Sequence, residues 1–146
     1  PRTLRAATTR SAMARGRTCY DHLAGRLGIT ITDALTHHGL LRQDTHQDTQ
    51  DTRQDTGFAL TDTGLAWFAT AGIDLARTGR RPLARACLDW TERRPHLAGV
   101  AGAALCRRAL TAGWCVRIGS ERAVKVTPAG ERALAELLDI EPASLL

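Results

Sequence analysis

The strongest constraint on this chain is that it repeats itself. His22-Leu23-Ala24-Gly25, followed by Gly28, returns as His96-Leu97-Ala98-Gly99, followed by Gly102. Gly39-Leu40-Leu41 matches Gly113-Trp114-Cys115, and Leu60-Thr61-Asp62-Thr63-Gly64 matches Val126-Thr127-Pro128-Ala129-Gly130. Landmarks recurring in one order mark two related halves rather than a chance match between Ala- and Leu-rich segments. A cysteine precedes each histidine landmark: Cys19 before His22 and Cys87 before His96.

Each half reads helix, helix, hairpin, helix, the order of a winged-helix unit whose hairpin is the wing. The expected fold is mainly α with short β-hairpins (α+β), built as two tandem winged-helix-like repeats. Residues 1–18 read as a basic helix or linker with a weak stripe of Leu4, Ala7, Ser11, Ala14 and Thr18, reaching toward Leu27. Residues 19–80 form the first half. There Gly28 is expected to break a helix and Gly39 to stop the next one, since glycine tolerates the left-handed conformation. Residues 43–56 repeat Gln-Asp-Thr without an apolar residue to bury, which predicts a disordered, solvated loop at a hairpin tip. Thr61 is a candidate N-cap, and its helix carries Leu65, Trp67 and Phe68.

Residues 81–146 form the second half. Pro82 is expected to begin a helix with Leu83, Ala86, Cys87 and Trp90 along one side. His96 is expected to start another, and 103–110 a further one. Alternation over 114–118 and 123–127 around Gly119-Ser120 predicts a hairpin. Thr127-Pro128 reads as an N-cap with proline at the first helical position, and the last helix buries Ala133, Leu134, Leu137 and Leu138.

At 146 residues and 43% hydrophobic, the chain suits one compact domain or two small subdomains sharing a core. Its net charge of +5 permits an anionic partner such as DNA without requiring one. No apolar run approaches the roughly 18 residues of a membrane helix, so no membrane partner is expected. No signal peptide is evident, and a cytoplasmic location follows, with the four cysteines as thiols or ligands.

The most unusual stretch runs from Cys87 to Gly99 and holds Asp89, Trp90, Glu92, Arg93, Arg94 and His96. Cys19, His22, Cys87 and His96 together make a Cys2His2 set of the kind zinc or another thiophilic metal prefers. The Cys19–His22 spacing suits one helix face, and the Cys87–His96 spacing needs a turn at Pro95. A Cys19–Cys87 redox pair and plain packing of both thiols stay open. The acids Asp21, Asp89 and Glu92 beside Arg17, Arg93 and Arg94 fit a buried ion-pair network. They also fit an effector pocket lined by Cys19, Tyr20, His22, Cys87, Asp89, Trp90, Arg93 and His96. Cys106 and Cys115 belong to the second half alone and read as bystanders. No nucleophile elbow, phosphate loop or metalloprotease motif occurs, so the chain is not expected to be an enzyme. A thiol- or metal-dependent enzyme is the remote alternative.

The stretches from Arg17 to Gly28, Cys87 to Gly99 and Val126 to Gly130 resemble the C-terminal region of a subgroup of bacterial ArsR-type winged helix-turn-helix transcriptional regulators. The resemblance covers most of the chain apart from the Gln-Asp-Thr loop. It implies a repressor-like homodimer, DNA as partner through the full-length protein, and a DNA-binding domain upstream of residues 1–18. It also implies an effector-sensing and dimerising role for this region, with a small molecule or metal as effector. The residues add a second reading, a stand-alone basic winged-helix DNA-binding protein. Its readers would be Arg107 and Arg108 on a helix, with Arg117, Arg122 and Lys125 on the wing. The corresponding helix of the first half, showing Thr32, Asp33, Thr36 and His37, is a poor reader of bases.

Overall fold

A computed structural model of the chain describes residues 4–44, 57–76 and 79–146. Helix α1 (Leu4–Arg15) leads into a hairpin, β1 (Arg17–Cys19) and β2 (His22–Ala24), and then α2 (Gly25–His37). A second hairpin, β3 (Leu41–Asp44) and β4 (Gly57–Leu60), is followed by α3 (Asp62–Thr70). The order then repeats: hairpin β5 (Arg85–Asp89) and β6 (Arg94–Ala98), helix α4 (Gly99–Thr111), hairpin β7 (Cys115–Arg117) and β8 (Val124–Val126), helix α5 (Pro128–Leu138). A 3-10 turn, Pro142–Leu145, closes the described chain. The fold is α+β, with every hairpin antiparallel.

Each half therefore opens with a hairpin where the sequence predicts a helix. The helix expected to run from α1 toward Leu27 ends at Arg15, and the helix expected from Pro82 through Trp90 is strand β5. Long-range pairing overrides local propensity here. The outer edge of β1 is taken up by the second half: Thr18 N–H donates to Arg122 C=O at 2.9 Å and Val124 N–H to Gly16 C=O at 3.0 Å. That edge ties Arg17 and Thr18 into the fold, so β1 begins inside the stretch read as linker. Gly28 does not break a helix either; α2 is continuous through it. Helix α4 starts at Gly99, after β6, rather than at His96.

Gln43 and Asp44, predicted to be loop, pair with Phe58 and Gly57 in the β3–β4 ladder. The remainder of that loop, 45–56, lies outside the described residues, as do 1–3 and 77–78. The caps at the second hairpins behave as read. Thr61 Oγ1 accepts from Gly64 N–H at 2.9 Å, and Thr127 Oγ1 accepts from Gly130 N–H at 3.0 Å.

The repeat is visible in the packing. Helices α2 and α4 lie at the centre, each crossing the other half's leading hairpin. A methyl group added to Gly28 would sit 3.6 Å from the His96 Cβ, and one added to Gly102 would sit 3.3 Å from the His22 Cβ. The two halves share one apolar core, with Leu27, Leu35 and Phe68 from the first and Leu105, Leu134 and Leu138 from the second. Polar ties cross the same boundary: Trp67 Nε1–H donates to Leu137 C=O at 3.2 Å, and His38 Nε2 lies 2.9 Å from Leu138 C=O. None of the described helices is long and apolar enough to cross a membrane.

The matching glycines Gly64 and Gly130 set the closest approaches in the fold. A methyl at Gly64 would overlap the Leu40 carbonyl, and one at Gly130 the Trp114 carbonyl. Gly64→Ala and Gly130→Ala should each destabilise by about 2–3 kcal/mol, because backbone rather than a flexible side chain must move. Gly39 faces open space at φ 70°, so Gly39→Ala should cost only about 1 kcal/mol of backbone strain. Urea midpoints at equal m would rank the three variants; a Gly64→Ala no worse than Gly39→Ala would contradict the packing.

Candidate functional site

The two leading hairpins place the cysteine–histidine pairs. In an antiparallel ladder, residues directly opposite share a face of the sheet. Cys19 is opposite His22 across a two-residue turn in which Tyr20 adopts φ 58°. Cys87 is opposite His96 in β5–β6. Each pair thus reaches one face through cross-strand pairing, not through helix spacing or a turn at Pro95. The chain reverses instead over 90–93, where Arg93 takes φ 59°.

Packing of β2 against β6 brings the pairs together. The Cys19 and Cys87 sulfurs are 4.0 Å apart, and the His22 and His96 ring centroids are 4.8 Å apart, tilted by 46°. The four potential ligand atoms all lie within 4.8 Å of one another. Both imidazoles are buried and both cysteines half-buried.

A carboxylate backs each imidazole. Asp21 Oδ1 lies 3.2 Å from His22 Nδ1, and Asp89 Oδ2 lies 2.9 Å from His96 Nδ1. An ionised carboxylate can only accept, so each Nδ1 carries the proton and each Nε2 keeps its lone pair. The Nε2 atoms of His22 and His96 are buried and make no hydrogen bond. Burial lowers the pKa of both imidazoles, more than their carboxylate partners raise it. Burial, reinforced by Cys19, pushes the Cys87 thiol up to about 11.

The carboxylates are held in turn by arginines from the opposite half. Arg17 Nη2 reaches Asp89 Oδ1 at 3.1 Å, and Arg81 Nη1 reaches Asp21 Oδ2 at 2.7 Å. Asp89 is fully buried and saturated with donors. It accepts from Gly25 N–H at 2.6 Å, Thr91 Oγ1–H at 2.7 Å, and the N–H groups of Thr91 and Glu92 at 3.2 Å each. Burial alone would raise its pKa, but these hydrogen bonds and the Arg17 charge outweigh it and hold the carboxyl well below the usual range. Asp21 is also lowered: burial opposes ionisation, and the bonds to Arg81 and His22 prevail.

Other residues singled out in the sequence lie elsewhere. Trp90 and Arg93 sit in the 90–93 turn, with Trp90 75% exposed, because the strands end before them. An open groove of about 280 Å³ borders the cluster, lined by Tyr20, His22, Arg81, Pro82, Arg85, Cys87, Ala98 and Gly99; of the residues expected to line an effector pocket, Cys19, Asp89, Trp90, Arg93 and His96 do not line it. Arg94 pairs with Asp33 at 2.5 Å on the surface, and Glu92 contributes its backbone N–H to Asp89. Cys106 and Cys115 are buried in the core, and burial lifts the Cys115 thiol to about 12.

Among the basic residues, Arg108 stacks 5.7 Å above the Trp114 ring, and Arg122 Nη1 donates to Thr18 C=O at 3.1 Å. Arg107, Arg117 and Lys125 are exposed. Sequence reasoning gave no site role to Arg81 or Thr91, and it read Thr32 as presented to solvent, whereas Thr32 is buried. Thr32 Oγ1 donates to Gly28 C=O at 2.7 Å and accepts from Leu97 N–H at 2.9 Å, joining α2 to β6. Only the burial of an otherwise ordinary threonine marks that role.

Comparison with known proteins finds a similarity to an uncharacterized HTH-type transcriptional regulator, YdfF, of Bacillus subtilis (strain 168). The two are 35% identical over 127 residues, which make up 86% of this chain and 52% of the relative. The chain thus spans about half the length of the curated relative it matches. No family model matches the chain, and no solved structure does.

The Arg17–Asp89 pair should dominate the response to mutation and acid. Arg17→Met strands a buried carboxylate and should destabilise by about 3–5 kcal/mol. With Asp89→Asn the double variant should lose clearly less than the sum of the singles, because they remove one interaction. Asp89 has a folded pKa below its unfolded value. Its contribution is therefore complete above the ordinary aspartate range and fades as pH falls through that range toward the folded pKa. Denaturation from pH 6 downward should show a shallower loss in Asp89→Asn than in wild type; parallel curves would mean that Asp89 does not carry the acid sensitivity.

Proposed function

We propose that this chain is the sensing and dimerising region of a DNA-binding transcriptional regulator of ArsR type. The observation that carries the reading is the 35% identity to an HTH-type transcriptional regulator of which the chain spans about half. The geometry supports a regulatory role over base reading. A recognition helix must offer an exposed polar face to the major groove. Helix α2 buries seven of its 13 residues and α4 nine of 13, against their own half and against the other half's leading hairpin. Their exposed faces offer few of the side chains that read base edges; Arg107 is the exposed arginine of α4.

The cluster at the junction suits effector control. A ligand bound between the halves changes an equilibrium only by preferring one arrangement of them. Here that arrangement is defined by β2 against β6 and by the two Arg–Asp–His chains. An enzymatic reading fares worse: a nucleophilic thiol needs a lowered pKa, whereas Cys87 is raised.

A stand-alone DNA-binding module is the second reading, favoured by the exposed Arg117 and Lys125 on the β7–β8 wing. Gel-shift titrations with DNA from the promoter region of the gene decide between them, comparing the 146-residue chain with the full-length gene product. The regulator reading expects affinity in the full-length product, falling by about 0.9 in log units per phosphate contact for each log unit of salt. It expects the 146-residue chain to bind at least 100-fold more weakly, roughly the loss of several phosphate contacts. Equal affinity of the two, lost on Arg117→Ala with Lys125→Ala, would establish the second reading instead.

A further inference from the structure

We propose that Cys19, His22, Cys87 and His96 bind one tetrahedral thiophilic cation, Zn2+ being the ion tested, and that it joins the two halves of the chain. The inference is independent of the regulator reading; it rests on the junction's geometry.

Three observations converge on it. First, the donors form a complete set of four whose ligand atoms lie close together. The two Nε2 lone pairs are buried, unpartnered and free of a proton, and the imidazoles are 5% and 1% exposed. An unsatisfied buried acceptor is a cost that proteins seldom retain without a ligand for it. Second, the spacing is right. Tetrahedral zinc with Zn–S bonds of about 2.3 Å holds its two sulfurs about 3.8 Å apart. The Cys19 and Cys87 sulfurs are already 4.0 Å apart, and no pair of the four ligand atoms exceeds 4.8 Å.

Third, the surroundings match a metal site beyond its ligands. A zinc-bound imidazole characteristically donates its other N–H to a carboxylate, which fixes the tautomer and strengthens the donor. Both imidazoles do this, through Asp21 and Asp89, and each carboxylate has its own guanidinium, Arg81 and Arg17. Charge then closes locally. The two carboxylates are neutralised by the two arginines, and a divalent cation is neutralised by two thiolates. Binding displaces one proton from each thiol to solvent and changes no oxidation state.

The occupant is thus a soft or borderline divalent ion. Oxygen-seeking Mg2+ and Ca2+ find no first-sphere oxygen ligand in this set. Because each half supplies one thiolate and one imidazole, the ion crosslinks hairpin β1–β2 to hairpin β5–β6.

The test uses the whole chain, purified without chelator or oxidant. Metal content and thiol titration are measured on the same sample, and the chelated protein is then titrated with Co2+. The expected result is one zinc per chain. Co2+ should give the visible bands of tetrahedral coordination with thiolate-to-cobalt charge transfer, saturating at one equivalent. Cys19→Ser and Cys87→Ser should abolish the charge-transfer band or halve it, whereas Cys106→Ala leaves it intact. Asp21→Asn should keep the spectrum but weaken affinity by about 10–100-fold, the usual effect of losing a carboxylate behind a metal-bound histidine.

The wild-type Co2+ spectrum does not depend on whether any variant folds. Its absence in folded chelated protein with four free thiols would overturn the proposal. So would a Cys19–Cys87 disulfide that re-forms in the presence of equimolar Zn2+, or metal that survives loss of both cysteines in folded protein.

Discussion

The structure depends on a carboxylate buried where no water can reach it. Asp89 carries its charge at 0% exposure, which is tolerable only because donors surround it. Those donors come from several parts of the chain: the Arg17 guanidinium on β1, the first N–H of α2 at Gly25, the 90–93 turn and the His96 ring. Satisfying one side chain therefore fixes where β1, α2, β5 and β6 lie relative to one another. The Gly25 contact also sets the negative charge at the positive end of α2. The second chain of contacts, Arg81 to Asp21 to His22, has the same order on a more open side.

Around this polar centre, glycine lets the backbones approach. Gly28 and Gly102 bring α2 and α4 down onto the hairpins that carry the histidines. Gly64 and Gly130 seat α3 and α5 against Leu40 and Trp114. The same glycines are landmarks of the internal repeat, so the repeat records contacts rather than composition. With much of α2 and α4 committed to the junction, the exposed parts of the described chain include its wings, its outer helices and the tips of its leading hairpins, where Tyr20 and Trp90 stand out into solvent.

Much of this was legible in the sequence, and the failures are instructive. The two-half organisation, the caps at Thr61 and Thr127, the wing at 115–126 and the four-residue cysteine–histidine set could all be read from residue types and order. The leading hairpins could not. By local preference residues 17–24 and 82–90 read as helix. Their strand identity comes from partners far away, such as the 122–124 segment on the edge of β1. The same blindness affected charge. Asp21, Asp89 and Glu92 read with Arg17, Arg93 and Arg94 as one ion-pair network, but residue types alone do not say which pairs form; the fold joins Asp89 to Arg17 and Asp21 to Arg81. Arg81 carries no signal of its own, and nothing local distinguishes it from Arg80.

The repeated arrangement lies within one polypeptide, and that decides how its junction behaves on dilution. A symmetric pocket between two separate copies exists only while the copies stay associated, so its population follows protein concentration. Here the covalent connection through 61–84 makes the meeting of the halves intramolecular, with an effective concentration set by the chain itself. The junction is as complete in a single molecule as in a crowded solution. Being one chain, it can also diverge: Leu40 faces Gly64 in one half and Trp114 faces Gly130 in the other, a difference that two identical subunits could not hold.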